Sequence, residues 1–396
     1  MSGLLHRVAD RAPLDRLWAV LPRARLVGGA VRDLLCGLPP LDLDLATPEP
    51  PDRVAVLLAP AGIKVVPTGI DHGTVTAVLD GRGFEITTLR RDVATDGRHA
   101  VVDWTTDWRE DAARRDFTIN AMSLDRNDGL HDFFGGARDL ADGVVRFVGD
   151  PVRRLEEDAL RGLRFFRFHA RFGRGDADPR ALAAIAAAAP GLGQLSAERV
   201  WSELKRLLTA SSPSGSIRLM AELGVLRVVL PGGSDAARFE RLLRLGAPAD
   251  AILRLAALST AAPAAVAARL RLSRAEGAVL ESCVAGPVVR PELSDVAIRR
   301  VLLAEPAAAA VRRSWMIQAE AGTDDDPAGW DGFRERLMSM PRPVFPLSGA
   351  DAVAAGMAPG PAVGRALRAV AAWWEDGGCE ADRAACLARL REEGGG

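Results

Sequence analysis

Asp42 and Asp44 stand one leucine apart in the run Leu41-Asp42-Leu43-Asp44-Leu45, and two carboxylates at that spacing can hold metal. On a strand successive side chains point to opposite faces, so the leucines enter a core while both carboxylates share the other face, roughly 7 Å apart along the backbone. Hard divalent cations take such oxygen ligands, and two Mg2+ ions about 3.5–4 Å apart can clamp the attacking and leaving oxygens of a displacement. An isolated D-x-D is usually a solvated strand edge, and an isolated Gly-Gly a plain turn. Here the two occur together. Gly28-Gly29 allows a tight turn with backbone close to a ligand, residues 30–36 read as a helix whose N-terminus is an anion site, and Arg32 adds a guanidinium fork for phosphate oxygens. The indicated chemistry is phosphate handling beside divalent metal.

Further residues extend this site. Phe84, Ile86 and Thr88 share one strand face and Glu85 and Thr87 the other, which makes Glu85 a candidate third carboxylate if its strand neighbours the aspartates. Arg114-Arg115 directly precedes an apolar turn that carries Asn120. Residues 151–172 read as one helix, on which Arg161, Arg164, Arg167 and Arg171 recur every three or four positions and form a basic stripe. Such a stripe is either a solvated, salt-bridged face or a polyanion contact, and its place behind the D-x-D favours the second. Asp158 lies one turn before Arg161. A carboxylate only accepts hydrogen bonds and a guanidinium only donates them. Cytosine and adenine carry an exocyclic amine and ring acceptors on the pairing edge, whereas guanine and uracil carry a carbonyl and a ring N–H. The pair Asp158 and Arg161 can therefore bond C and A and leave G and U with mismatched partners.

These groups need elements to hold them. Up to about residue 150 the pattern mixes strands and helices: a helix over 52–61, strands over 63–66, 74–79 and 84–88 with glycine turns between, a long exposed loop over 90–109, and a last strand over 144–148. Beyond residue 150 strand signals nearly vanish, and helices are expected over 151–172, 179–189, 197–210 behind a Ser196 cap, and 217–223. Residues 322–332 read as an exposed loop and 341–348 as a linker.

Composition narrows the class without naming a partner. The 396 residues carry 51 Lys and Arg against 52 Asp and Glu, so any basic surface must be local. No signal peptide or membrane-length apolar run is visible, and Cys36, Cys283, Cys379 and Cys386 are too sparse for a disulfide framework. The expected location is cytoplasmic, with no membrane association.

With its motifs in order, the chain resembles the class II tRNA nucleotidyltransferases, or CCA-adding enzymes, a family that also includes bacterial poly(A) polymerases. GGAVRD with DLDLAT is similar to the family's catalytic motif, RRDFTINAM to its second motif and EDALRGLRFFRF to its base-templating helix. ERVWSEL resembles its neck motif and PLSGADAVAAGMAPGPAVGRAL its tail. TDGRHA resembles the flexible loop used for the switch to ATP, although that loop has little serine here and its usual tyrosine is absent, since the chain contains no Tyr. Residues 235–340 are the least recognisable part.

The resemblance implies an α+β fold in which a small mixed-sheet nucleotidyltransferase head (1–149) is followed by an all-helical neck with the templating helix (150–234), body (235–340) and tail (341–396). It assigns nucleotide contacts to Gly28, Gly29, Arg32, Arg115, Asn120, Asp158, Arg161, Arg164 and Arg167, and metal to Asp42 and Asp44. The implied reaction adds C, C and A to the 3′ end of tRNA from CTP and ATP, with two Mg2+ ions and release of pyrophosphate. The helical body would meet the acceptor stem mainly through shape and backbone, and no obligate protein partner is implied. A poly(A) polymerase of this fold would show a G-[RK]-[RK]-F-like run soon after the D-x-D, where this chain reads ATPEPPDRVAVLLAPAG. A CC-adding enzyme would lack the flexible loop. A catalytically inactive RNA-binding homologue would have lost the carboxylates, which are intact here.

Overall fold

Alternating burial along short apolar segments builds the sheet that presents the aspartates. In the computed structural model, which describes residues 3–40, 42–70, 73–95, 100–321 and 326–394, the strands are β1 (Arg25–Val27), β2 (Leu45–Thr47), β3 (Lys64–Gly69), β4 (Thr74–Leu79), β5 (Arg82–Thr88), β6 (Arg90–Thr95), β7 (Ala100–Trp104), β8 (Ser123–Leu124) and β9 (Leu130–His131). Seven of them form one sheet in the order β3-β4-β5-β2-β1-β8-β9. It is mixed, because β2 runs parallel to β5 while β1 pairs antiparallel with both β2 and β8. Val75, Ala77 and Leu79 on β4 and Phe84 and Ile86 on β5 turn inward. Asp80 and Gly81 join these strands with φ of 50° and 78°, the two positive values that a tight antiparallel connection with the right twist requires.

Several local expectations change. Residues 90–109 are not a long exposed loop: β6 and β7 pair antiparallel in register from Arg90 with Trp104 to Thr95 with Ala100, and a helix begins at Trp108. Polar residues in this stretch hid the pairing from a reading by composition. The expected flexible segment 96–99 lies outside the described residues. Residues 144–148 form no full strand; Phe147 makes a single bridge to Phe117, flanked by Thr118 N–H donating to Arg146 O and Val148 N–H to Asp116 O.

The α-helices up to residue 208 are α1 (Ala12–Val20), α2 (Gly29–Leu35), α3 (Pro51–Leu58), α4 (Trp108–Ala113), α5 (Gly136–Asp142), α6 (Pro151–Glu157), α7 (Leu160–Phe172), α8 (Pro179–Ala188) and α9 (Ala197–Leu208). The single helix expected over 151–172 is therefore two. Asp158 lies between them in an extended conformation, φ −157° and ψ 105°, and its Oδ1 accepts from the Leu160 N–H at 3.1 Å. That local side-chain bond replaces the helical one, a competition in which aspartate is favoured. Ser196 occupies the position before α9, but its hydroxyl makes no capping bond.

The chain divides into two compact units, Met1–Val229 and Leu230–Gly396. Within the second, the described residues are helical, with one apolar cluster around Ile298, Leu302, Phe333 and Leu337 and another around Val370, Trp374, Cys386 and Leu390. The loop expected over 322–332 is shorter than its composition implied. Asp326 accepts from Gly329 N–H at 2.9 Å and starts the helix Pro327–Ser339, while 322–325 lie outside the described residues. Among the described residues no helix is long and apolar enough to cross a membrane.

Under α7 lies an aromatic cluster in which Phe117 meets Phe147, Phe165 and Phe168 at ring-centroid distances of 4.9, 6.3 and 5.3 Å. Phe165 is fully buried. Replacing it with alanine should cost about 3–5 kcal/mol of stability, read as a lower urea midpoint for the first unit. An unchanged midpoint would show that this cluster does not hold α7 to the sheet.

Candidate active site

The two aspartates reach their common face without being strand residues. The strand begins at Leu45, so Asp42 and Asp44 lie in the segment just before β2 rather than within it, yet the alternation persists: Leu43 and Leu45 are buried and both carboxylates are exposed. Val27 N–H donates to Asp44 O at 3.0 Å and fixes this backbone to the end of β1. The parallel register of Leu45 with Ile86 brings Glu85, also exposed, beside Asp44. The Asp44 carboxyl is held above the ordinary carboxylate range, first by desolvation and then by the negative charges of Glu85 and Asp42, with Arg115 pulling the other way. Glu85 adds its negative charge to this face. The donor set still fits a divalent cation, because exposed carboxylates with unbalanced negative charge are what such an ion neutralises.

Behind the aspartates, the Gly28-Gly29 turn works as the sequence predicts. Gly28 has φ 63°, and a Cβ there would come within 3.0 Å of Arg115 Nη1. Arg115 also donates to Asn120 O at 3.4 Å and to Asp111 Oδ2 at 3.3 Å. Arg32 is placed less openly than its spacing suggested. It is buried, donates to Asp33 Oδ1 from Nε and Nη2 and to Asn120 Oδ1 from Nη1 at 2.5 Å, and lies over the rings of Phe172 and Phe168 at 4.5 and 5.2 Å. Burial lowers the pKa of this guanidinium despite the Asp33 charge. Its commitment joins α2 to the second motif.

Asp158 and Arg161 line a cleft of about 260 Å³ together with Arg114, Arg115, Asp116, Leu160, Arg164 and Arg199. Arg161 donates to Arg154 O at 3.2 Å, to Arg114 O at 3.3 Å and to Glu157. Asp158 Oδ2 accepts from Arg199 Nη2 at 2.7 Å. Arg115 thus belongs to both halves of the site: it lines this cleft and its charge acts on Asp44.

Three of the four arginines in the basic stripe are neither solvated nor free. Arg161, Arg164 and Arg167 have side chains only 15, 31 and 14 % exposed. Arg164 Nε donates to Asp116 Oδ2 at 2.8 Å and its Nη1 to Glu203 Oε1 at 3.3 Å, while Arg167 bonds the other Glu203 oxygen. Arg171, at 43 % exposure, lies 3.6 Å from Asp33. Asn120 Nδ2 donates to Asp116 Oδ1 at 3.0 Å, so one carboxylate gathers the second motif and α7. Sequence reasoning missed Asp116, Arg199 and Glu203 as members of the site. A signal existed, since Arg199 and Glu203 are four residues apart and share one helix face.

Comparison with known proteins agrees with this geometry. Residues 24–146 match the family described as "Poly A polymerase head domain", and residues 176–236 the one described as "Probable RNA and SrmB- binding site of polymerase A". Over these residues the chain is similar to the class II tRNA nucleotidyltransferase and poly(A) polymerase family. It is 47 % identical over 222 residues to human mitochondrial CCA tRNA nucleotidyltransferase 1, covering 55 % of this chain and 51 % of that one. To the CCA-adding enzyme of Geobacillus stearothermophilus it is 38 % identical over 226 residues, covering 57 and 54 %. The chain thus spans about half the length of the curated relatives it matches. Over nearly the full length it is similar in structure to the Bacillus stearothermophilus CCA-adding enzyme in complex with CTP, with a TM-score of 0.74, 29 % identity and coverage of 97 and 98 %. Enzymes of this nucleotidyltransferase fold generally use divalent metal.

The Asp116 junction yields a prediction of pH dependence. Burial alone would raise the Asp116 carboxyl, but the Arg164 guanidinium, the Asn120 amide and the Phe117 N–H outweigh it and hold the group below the ordinary carboxylate range. The folded-state pKa is thus depressed, so the stabilisation is complete above the unfolded value near about 3.9 and is lost as pH falls through the lower folded value. Asp116→Asn should be less stable at neutral pH, and its stability should fall less steeply than wild type below about pH 4. Urea unfolding at a series of pH values reads this directly. Identical acid limbs in the two proteins would remove Asp116 as a source of acid sensitivity.

Proposed function

We propose that this protein adds C, C and A to the 3′ end of tRNA without a nucleic-acid template, taking CTP and ATP and releasing pyrophosphate. The observation that carries the reading is the position of Arg115, which lines the cleft of Asp158 and Arg161 and acts electrostatically on Asp44, so a base-reading pair and a pair of metal-type carboxylates serve one nucleotide. Relatives named as CCA-adding enzymes support it, as does the similar structure described with CTP.

In this mechanism Asp42 and Asp44 would hold two Mg2+ ions, which when bound lower the pKa of the terminal 3′ hydroxyl and neutralise the triphosphate. The Gly28-Gly29 turn lets backbone approach the phosphates, and Arg115 offers charge beside them. Asp158 accepts from the exocyclic amine of C or A and Arg161 donates to the ring acceptors. Arg164 and Arg167, tied to Asp116 and Glu203, keep the reading helix in place, so catalysis rests mostly on positioning and electrostatics. The four cysteines are free thiols, which suits a reducing compartment, and we assign the reaction to the cytoplasm.

The test is to incubate the purified protein with Mg2+, CTP, ATP and tRNA truncated before its terminal CCA, then sequence the 3′ ends. Ends completed with CCA are expected; a homopolymer of A, or arrest after CC, would overturn the assignment in favour of a poly(A) or CC-adding activity. Asp42→Asn and Asp44→Asn should each abolish incorporation of both C and A with unchanged circular dichroism, and chelation should do the same reversibly. Full turnover in either folded variant would remove these carboxylates from catalysis. Asp158→Ala and Arg161→Ala should lower discrimination of CTP and ATP against UTP and GTP by about tenfold to a hundredfold, the worth of one charged hydrogen bond. Equal slowing of right and wrong nucleotides would make the pair structural.

A further inference from the structure

Trp104, the last residue of β7, is 41 % exposed, and among the described residues of Met1–Val229 no other Trp or Phe is classed as exposed. Its place is nevertheless fixed. Trp104 pairs with Arg90 across the β6–β7 ladder, and the next residue, Thr105, donates its N–H to Leu89 O at 3.0 Å. The indole lies on Gly73 so closely that a Cβ there would collide with the ring. Gly73 is in turn tied to the end of β5, where its O accepts from Thr88 N–H at 2.8 Å. By contrast Trp108, four residues on, packs against Val27, Ala46 and Leu89. A ring seated on backbone with its remaining surface open is ready to take a flat apolar partner.

The sheet order places that ring on a particular side of the carboxylates. In β4-β5-β2-β1 the Gly28-Gly29 turn follows β1, so the triphosphate lies to the β1 side of Asp42 and Asp44. Attacking and leaving oxygens of a phosphoryl displacement stand roughly in line across the reacting phosphorus, so the 3′ hydroxyl arrives from the side of β5 and β4. There Glu85 and Thr87 pair with Thr76 and Thr74 and line one face with them. The bond to Gly73 is made at Thr88, three residues past Glu85, or roughly 10 Å along the strand. The indole thus stands behind the terminal nucleotide rather than at it.

We infer that Trp104 is the platform on which the penultimate base of the tRNA 3′ end stacks, holding the terminal hydroxyl in line with Asp42 and Asp44. This rests on the function proposed above and adds a seat for the accepting strand to it. Stacking is the contact that the reaction needs there. The penultimate base changes each time the end grows, and an aromatic face takes any base, whereas a hydrogen-bonding reader takes one donor and acceptor pattern. Trp104 therefore serves every step alike, while the choice of nucleotide stays with the cleft of Asp158 and Arg161.

The experiment compares wild type, Trp104→Ala, Trp104→Phe and Trp104→Leu. KM for the tRNA and KM for the nucleotide are measured separately, with CTP on tRNA ending before CCA and with ATP on tRNA ending in CC, and each tRNA is also made with an abasic site at its penultimate position. A wild type that adds nothing overturns the proposed function and this inference with it. Given wild-type addition, Trp104→Ala should raise KM for both tRNAs by about tenfold, the loss of one stacked base, with KM for CTP and ATP and the discrimination against UTP and GTP unchanged. Trp104→Phe should keep most of the affinity, and Trp104→Leu, which has apolar bulk but no aromatic face, should behave as Trp104→Ala. The abasic site should weaken wild type by about the same factor and cost Trp104→Ala nothing further. An unchanged KM for tRNA in Trp104→Ala, wild-type behaviour in Trp104→Leu, or an abasic penalty that adds in full to that of Trp104→Ala overturns the inference and leaves the indole as a cover for Gly73. Should Trp104→Ala fail to fold by circular dichroism, the abasic comparison in Trp104→Phe and Trp104→Leu carries the test, and equal penalties in the two would overturn it.

Discussion

Several arginines can be kept half buried on one helix only if carboxylates meet them, because an unpaired charge removed from water costs several kcal/mol. Asp116 and Glu203 satisfy that demand for α7, and most of the first unit's geometry follows from it. Asp116 draws Arg164 and Asn120 together, Asn120 takes Arg32, and Arg32 closes on Asp33. Glu203 does the same between α7 and α9. The chain of bonds runs from the glycine turn to the neck helix through charged groups, with the phenylalanine cluster supplying bulk packing beneath it.

The carboxylates beside β2 are treated in the opposite way. Where the arginines are matched, Asp42, Asp44 and Glu85 crowd one another, and Asp44 is pushed upward first by desolvation and then by the charges of Glu85 and Asp42. A site that leaves like charges together is paying a cost that a bound cation would remove. Arg115 stands between the two regimes, held by Asp111 and Asn120 yet lowering the charge burden on Asp44.

What was legible in the sequence depended on local rules. The alternation around Asp42 and Asp44, the glycine needed at residue 28 and the inward faces of β4 and β5 follow from period and backbone freedom, so they survive even though Asp42 and Asp44 fall just outside a strand. The helical character of everything after residue 150 was equally plain. What stayed hidden depended on partners. Arg164 and Arg167 find their carboxylates 48 and 36 residues away, which no spacing rule reveals. The break at Asp158 turns on a single side-chain bond to Leu160, within a segment whose periodicity reads as unbroken helix. The β6 and β7 pairing was masked by polar residues, and the start of the helix Pro327–Ser339 by aspartates that resembled loop.

The break at Asp158 also bears on how such a protein can be rebuilt. A residue set between two helices takes its orientation from whatever lies opposite, so a graft of α7 alone into another scaffold would transfer the arginines without the acceptor's setting. Exchange of the segment from α6 through α9 as one block keeps Asp158, Arg199 and Glu203 in register, so what must be moved to carry that setting is a four-helix module rather than a motif.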